Sequence, residues 1–212
     1  MVGVADDPMT AAAGPFELSG GALCLDFANT WGDRRRPESD RLRSYPSLLA
    51  FASQAALLGR REATILARHA HRAPTVAEGA LASARRLRDV LYRLFAAQAR
   101  GRRPAPADLA AVNAALQEAL PHLRLTRRGA GYSWGWDDGG ELAAPLHPIA
   151  RSAAELLTSE ELARVRECDG ATCSWLFLDQ SRNRSRRWCS MQSCGNRAKA
   201  KRHYHRQRNV GR

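Results

Sequence analysis

"CDGATCSWLFLDQSRNRSRRWCSMQSCGNRAKAKRHY", residues 168–204, holds four of the chain's five cysteines in two pairs of equal spacing. Cys168 and Cys173 enclose four residues, Cys189 and Cys194 enclose four, and fifteen residues separate the pairs. Two such knuckles joined by a short hairpin can set four sulfurs tetrahedrally around one zinc ion, and loops of this length lie within the range that zinc knuckles use. Gly170 and Gly195 fall within and just after the loops, where backbone must curve close to sulfur. Zinc held by four thiolates has no open position, so the metal is read as structural. The segment needs it, because Trp175, Leu176, Phe177, Leu178 and Trp188 are its only obvious core residues, too few to fold such a stretch by burial alone. Ligation in small finger peptides contributes roughly 10–16 kcal/mol.

The same stretch opens a run of positive charge. From Gln180 to Arg212 there are eleven basic residues and no acid, while the other 179 residues hold 22 basic and 21 acidic. Nearly all of the +12 net charge therefore sits at one end of the chain, which reads as a binding surface more than as a solubility device. Arg186, Arg187 and Arg197 can partly neutralise the −2 charge of a four-thiolate zinc, but eleven cations exceed that need. "NRAKAKRHYHRQR", 196–208, has helix-forming composition and follows Cys194 directly; Ala200 and Tyr204, four apart, are expected to pack on the metal core with the cations outward. Arg182, Arg184, Arg186 and Arg187 in the preceding loop, and Arg197, Lys199, Lys201, Arg202, Arg206 and Arg208 in the helix, are the candidate phosphate contacts. DNA ranks ahead of RNA because a rigid basic helix fits a major groove. A merely solvated tail and an anionic membrane contact are the competing readings.

The other residues read as an α+β chain: a mainly helical N-terminal domain with small antiparallel β elements, followed by a small four-cysteine finger with a basic C-terminal helix. The expected division is a flexible arm at 1–15, a helical and β domain at 16–158, and the finger with its tail at 159–212. "FELSGGALCLDF" suggests a short extended element with Leu23, Leu25 and Phe27 on one face. Helices are expected at 46–58, 61–71, 79–99 and 109–120, the longest carrying Leu87, Val90, Leu91, Leu94 and Phe95 at helical spacing opposite a charge ladder of Arg85, Asp89 and Arg93. The last of these has Leu109, Val112, Leu116 and Leu120 as its stripe. The period then changes: Leu123 and Leu125, a turn at "RGAG", and Tyr132, Trp134 and Trp136 describe a hairpin, with "ELAAPL" as a candidate third strand. Those three aromatics are read as a sheet face covered by helices. Two further helices are expected at 148–157 and 159–167, the second capped by Thr158 and Glu161.

No Gly-rich phosphate loop, nucleophile elbow or His-Glu zinc helix is present, so the residues give no footing for an enzyme. Cys24 reads as inertly buried, and His69, His71, His122 and His147, which share no metal-ligand spacing, read as solvated or core-edge residues. The acidic, discontinuous N-terminus is unlike a secretory signal and no stretch is long and apolar enough to span a membrane, which points to the cytoplasm.

With Cys168, the stretch from Cys173 to Tyr204 resembles the CGNR zinc-finger family, named after Cys194, Gly195, Asn196 and Arg197. "GGALCLDFANTW" at 20–31, the helix at 79–99 and "LAAVNAALQEAL" at 109–120 resemble the ABATE-type domain joined to that finger in bacterial stress-induced transcription regulators. The resemblance implies a cytoplasmic, DNA-binding regulator whose N-terminal domain is a sensor or dimerisation unit, open to a small-molecule effector and to a homodimer. It also implies a role for Asp26, Asn29 and Thr30, the last two read as helix caps ahead of pocket residues. The alternative is a small-molecule-binding protein whose basic zinc module binds RNA or an acidic protein.

Overall fold

The computed structural model describes residues 16–137, 139–201 and 204; the arm at 1–15 and the candidates Arg202, Arg206 and Arg208 lie outside the described residues. Among the described residues, helices run in chain order as α1 (Leu23–Ala28), α2 (Tyr45–Gln54), α3 (Arg60–Arg72), α4 (Pro74–Ala99), α5 (Pro106–Ala119) and α6 (Leu146–Leu157). One hairpin, β1 (Leu123–Arg128) with β2 (Gly131–Trp136), separates α5 from α6, and a second, β3 (Val165–Glu167) with β4 (Leu176–Leu178), follows α6. Both hairpins are antiparallel and two-stranded. A π-turn at Met191–Gly195 leads into helical residues 196–201.

α4 is the axis of the main core. Helices α1, α2, α3 and α5 and both strands of the second hairpin pack on it. Leu87, Leu91, Leu94 and Phe95 of α4 share one core with Leu25 and Phe27 of α1, Leu48 and Phe51 of α2, and Ile149 and Ala153 of α6. Pro74 at the first turn of α4 leaves no backbone donor unpaired, so the helix starts five residues before its expected start at 79. Ser44 caps α2 reciprocally with Ser47, and Pro46 sits harmlessly in that first turn.

The charge ladder on α4 is not a solvated face. Arg88, only 1% exposed, bonds Asp40 at 2.6 Å and Asp89 at 3.0 Å. Asp89 also takes Arg34 at 2.9 Å, and both guanidinium groups lie over the ring of Trp31, at 5.0 and 5.1 Å. Arg85 donates to the carbonyls of Leu42 and Arg43, and Arg93 pairs with Asp108 of α5. Each rung pins a neighbouring segment to α4.

The structure departs from the sequence expectations at several places. The segment 23–28 is a helix, because Leu23 and Phe27, and Cys24 and Ala28, also stand four apart, and the helical form buries Cys24, Leu25, Phe27 and Ala28 in the main core. Residues 160–167 divide into a 3₁₀ turn (Glu160–Arg164) and strand β3, since Val165 enters the main core by pairing with Leu178; Thr158 bonds back to Ala154 and caps nothing ahead of it. "ELAAPL" forms turns, so the first hairpin gains no third strand. The face shared by Leu125, Tyr132 and Trp134 is open, with Tyr132 78% and Trp134 55% exposed. On α5 only Val112 of the predicted stripe is fully buried, and Leu109 and Leu120 face outward. Cys24 is fully buried, and burial pushes its thiol up to about 12.

Candidate metal centre and basic surface

Strand β3 delivers Cys168, whose N–H donates to Trp175 O at 2.9 Å. The chain turns back through Gly170, with Cys173 N donating to Gly170 O at 3.0 Å, and returns as β4. A Cβ at Gly170 would lie 3.1 Å from Cys194 Sγ and from Cys173 Cβ, so a side chain here would press on the sulfurs where the turn closes over them. The loop from 179 to 188 is organised by Asp179, fully buried at the end of β4, which accepts from Ser181 N and Arg186 N. The Asp169 N–H donates to Arg187 O and brings Cys189 beside the first pair. Ser190 caps the π-turn through Ser193 N, which sets Cys194 inward.

The four sulfurs lie within 4.8 Å of one another. Two of the separations, Cys173 to Cys189 at 3.8 Å and Cys189 to Cys194 at 3.7 Å, match the roughly 3.8 Å edge of a tetrahedron with metal–sulfur bonds of about 2.3 Å. Backbone N–H groups of Gly170 and Cys189 point at Cys168 Sγ, both at 3.4 Å, and Arg197 donates to Cys194 Sγ at 2.9 Å. Thiols this close cannot all ionise alone. Hydrogen bonds from the Cys173 and Cys189 thiols pull Cys168 down to about 2, and in return Cys168 pushes Cys173 and Cys189 up. A cation among them removes that conflict, so the donor set fits a thiophilic metal ion.

This centre has a small core of its own that is set against the main one through β4. Leu176 and Leu178 of β4 point into the main core with Val165, whereas Trp175 and Phe177, on the opposite face, pack around the cysteines. Asn29, just past α1, reads the backbone of β4 as another strand would: its Nδ2 donates to Leu176 O and its Oδ1 accepts from Leu176 N, both at 2.8 Å. Asn29 thus closes the C-terminal end of α1 with its backbone, its N–H donating to Leu25 O at 2.9 Å, while its side chain fastens two parts of the chain together; Thr30 bonds Phe27 O at the same helix end. Ser174 N donates to Gly32 O, Leu178 N donates to Gly20 O, and Arg100 grips Glu167 through two 2.7 Å bonds. Asp26 accepts from Gly20 N at 2.7 Å, steadying that same strand contact, and burial raises its carboxyl to about 6.

The predicted phosphate contacts separate into two groups. Arg186 is turned inward: it donates to the carbonyls of Trp188, Ser19 and Cys189 and lies 4.5 Å over the Phe177 ring, so its guanidinium is engaged by the chain itself. Arg187 pairs with Asp169 at 2.7 Å and Arg197 with Cys194 Sγ, although both remain exposed. Arg182, Arg184, Lys199 and Lys201 are exposed, and their side chains are in no ion pair among the described residues. Ala200 and Tyr204, expected against the metal core, are exposed as well.

A family model described as "Putative stress-induced transcription regulator", ABATE, matches residues 21–160, and a model of the CGNR zinc finger matches residues 164–207. The chain belongs to the ABATE family. A search of curated proteins finds no match. In this ABATE chain the finger segment shares its hairpin with the N-terminal core; Asn29, singled out in the sequence only as a cap, makes the joint together with Arg34, whose N–H donates to Ser174 Oγ at 3.3 Å, and with Arg100 and Glu167, which sequence reasoning missed. Their partners lie in distant parts of the chain, so no local spacing could point to them. Among the described residues, no helix is long and apolar enough to cross a membrane.

Proposed function

We propose that the protein is a zinc-dependent, DNA-binding transcription regulator: Cys168, Cys173, Cys189 and Cys194 hold one structural Zn²⁺, and the segment they organise binds duplex DNA in the cytoplasm. The observation that carries this reading is the group of exposed cations, Arg182, Arg184, Lys199 and Lys201, on the loop before Cys189 and the helix after Cys194. Zinc would neutralise and fix the thiolates, with the backbone N–H groups and Arg197 orienting them; the chain's own cations would do the binding. The regulatory reading and the DNA preference follow the family descriptions and the shape of a basic helix.

Residues 16–158 serve in this reading as a sensor or dimerisation unit. A cleft of about 880 Å³ between the first hairpin and α3, walled by Leu66, Trp134 and Trp136 and also by Glu62, Arg127 and Arg128, supports a small effector carrying both apolar and polar groups, since ligand sites run to roughly 300–1,000 Å³. The test is a titration of the zinc-loaded protein with duplex DNA, duplex RNA and single strands at rising salt. With about six phosphate contacts the log–log slope on DNA should be roughly −5. R182E and K201E should weaken every duplex similarly, and a preference for structured RNA would instead favour a basic module directed at RNA. Absence of binding to all three near 50 mM salt, about the low end at which phosphate contacts are strongest, by a folded, zinc-loaded protein overturns the proposal.

A further inference from the structure

His122 and His147 are 25 residues apart and give no metal signature in the sequence, yet the fold stacks their rings, with centroids 4.6 Å apart and planes 15° from parallel. His122 sits at the base of the first hairpin, immediately before β1. His147 is buried in the first turn of α6, and Glu141 lies on the exposed loop between β2 and α6. One ligand atom from each of the three residues falls within 4.8 Å of the other two.

We propose that His122, Glu141 and His147 form a second metal site, separate from the cysteine cage, that takes an exchangeable divalent ion of the zinc type. The first support is the orientation of His122. Its Nδ1 meets Asp137 O at 3.1 Å and, in the neutral ring, donates to it, which leaves the Nε2 lone pair facing Glu141 Oε2, 3.8 Å away. An imidazole whose far nitrogen is held by a backbone carbonyl is the usual arrangement of a metal-bound histidine. That carbonyl is itself fixed, because Asp137 N donates to His122 O at 2.8 Å and closes the hairpin base.

The second support is the surroundings. Trp136 packs 5.8 Å from the His147 ring and walls the site on its apolar side, and His69 holds the neighbouring Gly140 carbonyl at 2.9 Å. Two imidazoles and one carboxylate are the donors of zinc sites that keep an open position, so the ion should exchange and should bind far more weakly than at four thiolates. Ligands bound at about 2.1 Å stand roughly 3.4 Å apart. Glu141 must therefore draw in and one imidazole must turn out of the stack for both lone pairs to meet the ion. Occupancy would clamp the hairpin to α6 and fix the loop of Asp137, Gly139 and Gly140 that forms one wall of the cleft.

The experiment is equilibrium dialysis of the full chain against buffered free Zn²⁺, counting bound metal, beside long-range imidazole ¹⁵N spectra. Uptake of one further equivalent in the micromolar range is expected, with ¹⁵N shifts at His122 and His147. H122Q and E141Q should each weaken that uptake at least about tenfold while leaving the tight equivalent untouched. Binding that stops at the tight equivalent up to millimolar zinc overturns the proposal. So does a second equivalent that survives H122Q and E141Q and leaves with H203A/H205A.

Discussion

The two hairpins have the same topology and opposite circumstances. Hairpin β1–β2 has strands of six residues, and the outer part of its apolar face, Leu125, Tyr132 and Trp134, stands in the open. In β3–β4 the strands are only three residues long, yet Leu176, Phe177 and Leu178 are all buried, alternately against the main core and against the cysteines. Strand length and β propensity do not explain which is the better anchored, since a two-stranded ribbon has marginal stability by itself. What covers each face does. The short hairpin is a shared wall between two cores; the long one is an appendage with an exposed side.

The largest effect that tests this contrast is at the metal cage. C189S or C194S should abolish tight metal uptake and unfold the finger segment, since ligation in such units is worth roughly 10–16 kcal/mol. Metal analysis and the near-ultraviolet signal of Trp175 and Trp188 would follow it, and a reduced, metal-free finger that stays folded would break the account.

Next come matched truncations on the two hairpins. L178A removes a leucine from the main core and should cost about 2–5 kcal/mol in denaturant unfolding. L125A, on the open face, should change stability by less than about 0.5 kcal/mol. Equal costs would mean that the first hairpin is covered in solution. N29A should cost about 2–3 kcal/mol, because it strands the buried N–H and C=O of Leu176; a neutral result would remove Asn29 as the fastener.

The smallest effect is one of pH. Burial raises the Asp26 carboxyl from 3.8 to about 6, so between those values the folded chain keeps a proton that the unfolded chain has released. The stability this contributes is fully present below pH 4 and is lost as pH rises through 6. D26N cannot ionise, so it should flatten that slope and be the more stable protein at pH 7.5, by about 1–2 kcal/mol after allowing for partial exposure. Unfolding midpoints measured from pH 4 to 8 would show it, and an unchanged slope would place the carboxylate in water.

Much of this arrangement was legible in the chain. Equal cysteine spacing located the four sulfurs, and helical periodicity located α2 to α6, because both signals are local. Segment 23–28 was ambiguous for a physical reason: Leu23, Leu25 and Phe27 satisfy a period of two, while Leu23 with Phe27 satisfies a helical turn, and only the surrounding core chooses between them. Alternation in β2 told which aromatics share a face but not whether anything covers it. Asn29 bonds a backbone 147 residues away and His122 meets His147 across 25, contacts that exist only once the chain has folded. Charge counting placed the basic surface at the C-terminal end, yet it could not tell an arginine spent on carbonyls, such as Arg186, from one left outward, such as Arg182.

The four-cysteine centre is built onto the main core through β4. Residue-resolved hydrogen exchange, with the metal present and after chelation, tests it most directly. The account predicts that metal loss strips protection from 165–201 and also from α1 and the Gly20 contact, while α2 and α5 stay protected. Loss of protection confined to 168–201, with α1 unmoved, would contradict it and make the finger an independent module.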